Sequence, residues 1–218
     1  MRSRLILVAV ALGGMLAACG DANPNSPFPA SPGATPVQLA PQTMVLQRAQ
    51  LPQYVRTSDS TVDANTLADQ ESDQTLVGTL LREGLQIGAR AQFSDPNNGV
   101  PTPFATVISQ VLVFDDAQGA SSFFTDERAR RSKPPDGGTL APLANLPTGG
   151  ADAVVGLAAT VPAQASGDGP SRALFAIVRR GRIVAELLGG GSPQTATDAQ
   201  FMTLVADQEQ ELKATLAS

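Results

Sequence analysis

The sequence predicts an α+β domain, a mostly antiparallel sheet of about five strands with helices packed on it, preceded by a short apolar N-terminal segment and a proline-rich stretch. Three observations predict it. The run Thr106–Phe114 is β-branched and apolar, as a central strand requires. Two further runs, Ala173–Val178 and Ile183–Leu188, meet at Arg180-Gly181 as a hairpin. The element order, helix, strand, strand, helix, then three strands and a helix, is not a repeating βαβ alternation, which disfavours a parallel sheet.

The elements follow in order. Val62–Glu83 reads as helical, with Asp63 as cap, Leu67, Leu76, Leu80 and Leu81 as an apolar stripe, a break near Ser72 and Gly84 as the stop. Gly88–Phe93 reads as a strand, and Asp95-Pro96-Asn97-Asn98-Gly99 as a turn. After the Thr106–Phe114 strand, Asp115 and Asp116 lead into a helix over Ala117–Arg131. Its Ala120, Phe123 and Phe124 face the sheet, and Arg128, Arg130 and Arg131 complement the helix dipole before Pro134-Pro135. Pro134–Gly150 is expected to be loop and Ala153–Val161 a strand. Gly189-Gly190-Gly191-Ser192-Pro193 breaks the chain before a last helix, where Phe201, Leu204, Val205, Gln208 and Leu212 share one face.

The N-terminus carries a different kind of information. Arg2 and Arg4 precede an uncharged stretch, Leu5–Met15, and then Leu16-Ala17-Ala18-Cys19, the layout of an export signal. The final tetrad resembles a bacterial lipobox. That resemblance implies a signal peptide of residues 1–18, cleavage before Cys19, a diacylglyceryl group on the Cys19 thiol, and acylation (palmitate and related chains) of the new amino terminus. Two or three acyl chains hold a protein on a membrane stably, at about 0.8 kcal/mol per buried methylene. The fourteen residues Leu5–Ala18 are too few for a transmembrane helix, which needs roughly 20. Residues 19–52 carry Pro24, Pro27, Pro29, Pro32, Pro36, Pro41 and Pro52 and read as a disordered tether, with one domain over residues 53–218. At roughly 3.1 Å per residue, some 30 such residues reach about 90 Å.

Composition narrows the chemistry. The formal charge of −5 falls to near −7 without Arg2 and Arg4, which argues against nucleic acid as a partner. The single cysteine rules out an internal disulfide, so burial must hold the fold. There is no histidine, which excludes Ser-His-Asp and Cys-His hydrolases and His-ligated metal sites. Lys133 and Lys213 are the only lysines, and neither stands in a Ser-x-x-Lys spacing.

Three clusters remain. Asp115-Asp116 with Asp126-Glu127 has the residue types for acid/base work or calcium, but the spacing favours a helix cap for the first pair and a solvated helix face for the second. Gly189–Ser192 precedes a helix yet lacks Gly-Lys-Ser/Thr and Gly-x-Gly-x-x-Gly, so it reads as a turn. Arg179, Arg180 and Arg182, and Arg128, Arg130, Arg131 and Lys133, read as solvated basic faces, with contact to anionic lipid headgroups as the alternative. No catalytic residue, cofactor or metal is predicted, and Cys19 is the one site residue, as lipid attachment.

From Leu76 to Leu216 the layout runs from a glycine-stopped helix through the strand ending Val-Phe-Asp-Asp-Ala-Gln-Gly-Ala and the hairpin Phe-Ala-Ile-Val-Arg-Arg-Gly-Arg-Ile-Val-Ala to a terminal helix. It resembles small secreted or lipid-anchored α+β domains of uncharacterised bacterial envelope proteins, some of them sensor-like. The resemblance implies an extracytoplasmic protein anchored to the cell membrane through Cys19. Its domain is expected to bind a small apolar or lipid-like ligand, held between layers, or an envelope protein, without catalysis. The rival readings are a scaffold module with no ligand pocket, docking through the sheet face or the Pro134–Gly150 loop, and a carboxylate-based enzyme.

Overall fold

The computed structural model describes residues 39–97, 99–163 and 169–216; the expected signal segment, Cys19 and the part of the expected tether up to residue 38 lie outside the described residues. Seven strands form one sheet: β1 (Val55–Val62), β2 (Leu85–Ser94), β3 (Thr106–Phe114), β4 (Thr139–Pro142), β5 (Ala153–Val161), β6 (Ser171–Arg180) and β7 (Ile183–Gly191). The helices are α1 (Pro41–Met44), α2 (Ala64–Gln70), α3 (Leu76–Arg82), α4 (Ala117–Arg131) and α5 (Asp198–Leu216).

Strand order is β1-β2-β3-β7-β6-β5-β4, every neighbouring pair antiparallel. Two meanders, β1 to β3 and β4 to β7, meet along β3 and β7. Alternation assigns their side chains to two layers. One face carries Ala89, Ala91, Phe93, Val107, Val111, Leu174, Ala176, Val178, Ala185 and Leu187, which pack with Met44, Phe201, Val205 and Leu212 of α1 and α5. The other carries Leu112, Phe114, Phe175, Ile177 and Val184, which pack with Leu67, Leu80, Ala120, Phe123 and Phe124 of α2, α3 and α4.

The strand count exceeds the expected five because β1 and β4 carry no apolar alternation. Val-Arg-Thr-Ser-Asp-Ser-Thr-Val of β1 is an edge strand exposed over most of its length, so backbone pairing with β2 alone makes it a strand. β4 is four residues of edge inside the span expected to be loop. The Val62–Glu83 helix is two helices, with Val62 closing β1 and the chain reversing at Ser72, whose φ is 53°. Asp63 does cap α2, accepting from the Thr66 amide at 2.7 Å, and Gly84 (φ 76°) follows α3 as expected.

Two expectations are corrected. Gly189–Gly191 continue β7 instead of breaking the chain. A Cβ on Gly189 would lie 3.0–3.2 Å from the rings of Phe104 and Phe201, so the glycine lets these rings pack edge to face over the strand. The folded body also begins before residue 53. Pro41 opens the one-turn α1, where its missing N–H costs nothing, and Met44, Val45, Leu46, Leu51 and Tyr54 are buried. Backbone polar groups of this segment are satisfied by the core: the Leu46 amide donates to Ser109 Oγ (3.0 Å), Ser109 Oγ donates to Gln208 Oε1 (2.5 Å), and Gln208 Nε2 donates to the Met44 carbonyl (2.5 Å).

Candidate functional site

On the face covered by α2, α3 and α4, the register aligns Ser60, Arg90, Gln110, Glu186 and Ile177 in one row across five strands. All five are placed by pairing, since directly opposed residues of antiparallel strands share a face. The C-terminal half of α4 lies over the row and adds Glu127, Arg130 and Arg131, while the end of α2 adds Gln70 and Glu71. Glu127 is buried, and it accepts from Arg131 Nε at 2.6 Å and pairs with Arg130. Arg131 also holds Glu71 at 2.6 Å and stacks its guanidinium over the Phe175 ring, 5.1 Å from the centroid. Gln70 Oε1 accepts from Arg90 at 3.0 Å.

Gln110 and Glu186 are locked together. Gln110 Nε2 donates to Glu186 Oε2 at 3.0 Å. The other oxygens, Gln110 Oε1 and Glu186 Oε1, are buried without a hydrogen-bond partner. A proton on Glu186 makes its carboxyl a donor in a site that otherwise holds two unsatisfied acceptor oxygens. Burial pushes the Glu186 carboxyl up to about 8, with the Glu127 charge adding to it and Arg131 opposing. Burial pulls the other way on Arg131, yet Glu127 and Glu71 raise it above the usual guanidinium value. Arg90 is lowered by burial, against the pull of Glu186 and Glu71.

Beyond the end of α4 the same sheet face opens. The next rows of the register are Gln92-Ile108-Leu188-Phe175-Leu157 and Ser94-Thr106-Gly190-Ala173-Ala159. Apart from Phe175, all are only half-buried, and Ile108, Leu157, Ala159 and Ala173 belong to neither buried core. Arg131 over Phe175 marks where the helix cover stops. Elsewhere, among the described residues, hollows open to solvent include one of about 280 Å³ between α3 and α4, lined by Leu76, Leu80 and Phe123, and one of about 320 Å³ around Gly84.

The sequence-predicted candidates are dispersed. Asp116 caps α4, accepting from the Gly119 amide at 2.8 Å, and Asp115 accepts from Gln86 at 2.5 Å. Asp126 is exposed as expected, but Glu127 is not on a solvated face. It points to the sheet because its position falls on the same side of α4 as Phe123 and Phe124. Arg130 and Arg131 likewise leave the solvated face to pair with Glu127 and Glu71. Arg128 and Lys133 are exposed. At the hairpin, Arg179 pairs with Asp152 (3.4 Å) and Arg180 donates to the Gly149 carbonyl (2.9 Å). Cys19 lies outside the described residues, and no described helix is long and apolar enough to cross a membrane. Arg90, Gln110 and Glu186 went unremarked in the sequence, although Arg90 and Glu186 are the only charged residues of β2 and β7 and Gln110 lies in the middle of a mostly apolar β3.

No family model matches the chain, and no curated protein matches it. Among solved structures, it is similar to the crystal structure of the extracellular domain of PknH from Mycobacterium tuberculosis, with a TM-score of 0.52 and 13% sequence identity over 82% of this chain and 97% of that chain. At that identity the likeness is one of fold.

Proposed function

We propose that this chain is a lipid-anchored, extracytoplasmic recognition domain that binds without catalysis, using the open strip of sheet beside the charge cluster. Export and anchoring rest on Leu16-Ala17-Ala18-Cys19, and the fold neighbour, the extracellular domain of PknH, agrees with an extracytoplasmic address. The observation that carries the recognition role is the strip itself. Ile108, Leu157, Ala159 and Ala173 lie half-buried outside both cores, beside Phe175 and Leu188 at the edge of the second one, whereas the residues between the layers are buried. A ligand enclosed between layers is therefore a poorer reading than a ligand or envelope protein laid on the surface. The absence of histidine and the dispersal of the acidic candidates among caps and ion pairs support a non-catalytic role.

The test places a photo-crosslinking residue at Ala159, on the strip, and another at the exposed Thr203 on α5, in the anchored full-length chain within its own cells. An adduct of defined mass, protein or lipid, is expected from Ala159 and not from Thr203. Equal adducts at both positions, or none at Ala159, would count against the strip. Turnover of esters, glycosides or peptides by the purified chain would replace binding with catalysis.

A further inference from the structure

The charge cluster is unevenly paired. Arg130 and Arg131 hold Glu71 and Glu127, and Glu186 is bonded to Gln110 instead of to an arginine. Among the described residues no carboxylate forms an ion pair with Arg90, whose recorded bond is to the neutral Gln70 side chain. Arg90 is half-buried. A guanidinium taken partly out of water without an anion is a costly arrangement that a bound anion relieves, and its planar fork matches a carboxylate bidentately.

Arg90 stands one register row from the strip, at its β2 end. From there the floor runs across β3, β7, β6 and β5, four strand steps, or about 19 Å at ~4.8 Å per step. Along it lie Ile108, Leu188, Ala173, Leu157 and Ala159, with Gly190 keeping the middle low. The end at Arg90 is cationic, Gln92, Ser94 and Thr106 beside it are polar, and the path across β7, β6 and β5 is apolar. The charge of Glu71 acts on Arg90 as well, so it opposes a dianion such as a phosphate monoester more than a monoanion.

We infer that Arg90 and the strip together hold a fatty-acid-class amphiphile, its carboxylate on the Arg90 guanidinium and its chain across β3 to β5. The inference rests on the recognition role proposed above. The probe is oleate carrying ¹³C at its carboxyl carbon, titrated into the full-length chain in phosphatidylcholine nanodiscs and followed by NMR. A protein-bound carboxyl resonance distinct from that of bilayer oleate is expected. Neither acetate, which lacks the chain, nor methyl oleate, which lacks the charge, displaces it at tenfold higher concentration. Arg90→Met abolishes the resonance, and Ala173→Glu, which places a charge on the floor, does the same while the circular dichroism stays unchanged. Should Arg90→Met unfold, Arg90→Lys keeps the charge without the fork and is expected to weaken binding at least tenfold.

No bound resonance in the wild-type chain, its persistence in Arg90→Met, undiminished binding in Arg90→Lys, or displacement by methyl oleate overturns the inference. A crosslink from Ala159 to a protein, with no bound oleate, overturns it too and leaves the recognition role standing.

Discussion

Glu186 is faced by Gln110 and Arg90 from the sheet, by Glu127, Arg130 and Arg131 from α4, and by Glu71 from the end of α2. Its carboxyl, raised to about 8 chiefly by burial, binds its proton more tightly in the folded chain than in the unfolded one. The stability this contributes is fully present below the ordinary carboxylate range and is lost as pH rises through about 8. Melting temperature measured from pH 5 to pH 9 is expected to fall across that window. Glu186→Gln keeps an acceptor for Gln110 Nε2 without a proton to lose, so its melting temperature should stay level and exceed that of the wild type at pH 9. A parallel decline in the variant would assign the pH dependence to other groups. Removing Glu127 takes the buried carboxylate from Arg130 and Arg131 and leaves both to Glu71 alone. Glu127→Ala is expected to destabilise by about 3 kcal/mol, the usual result of breaking one side of a buried ion pair, read by urea denaturation.

The helices are held in place by close approach and by caps. Gly119 opens α4 against the end of α3, where a Cβ would fall 1.8 Å from the Glu83 carbonyl oxygen. The Asp116 carboxylate accepts from the Gly119 amide at the same turn. Asp116→Ala should therefore lower stability by about 0.5 to 2 kcal/mol, as loss of an N-cap does, and leave the photo-crosslink at Ala159 unchanged. A loss of crosslinking with the fold intact would give Asp116 a part in recognition. Gly149 holds the Pro134–Gly150 connection to α5 in a similar way. Its φ is 47°, and an added Cβ would collide with the Glu209 carboxylate, a group that burial raises and Lys213 and Arg180 lower.

At the scale of the whole molecule, α1 and the residues after it belong to the body of the domain. Met44, Val45, Leu46 and Leu51 are buried under α5 and against β2 and β3, and each such side chain contributes about 1.5–3 kcal/mol. A chain starting at residue 39 should be as stable as one starting at Cys19. One starting at residue 53 should lose about 4 kcal/mol or more in chemical denaturation. Equal stability of the two truncations would return residues 39–52 to the tether.

Much of the architecture was legible locally. β3, β5 and α4 lie where runs of β-branched residues, an Asp-Asp cap and a Pro-Pro stop place them, and α5 buries the very stripe its three- and four-residue spacings predict. The lipobox-like run before Cys19 is likewise a property of adjacent residues. What the sequence could not reveal depends on partners distant along the chain. An edge strand such as β1 needs no apolar pattern, only a neighbour to pair with. Proline-rich flanks concealed an apolar segment, Met44 to Leu51, that is buried only because α5 and β3 meet there. The charge cluster is the extreme case: Arg90, Gln110 and Glu186 are more than 90 positions apart at their limits and become one row solely through the β2-β3-β7 register. Whether a charge is solvated or buried is set by what lies opposite it, and only the tertiary structure decides that.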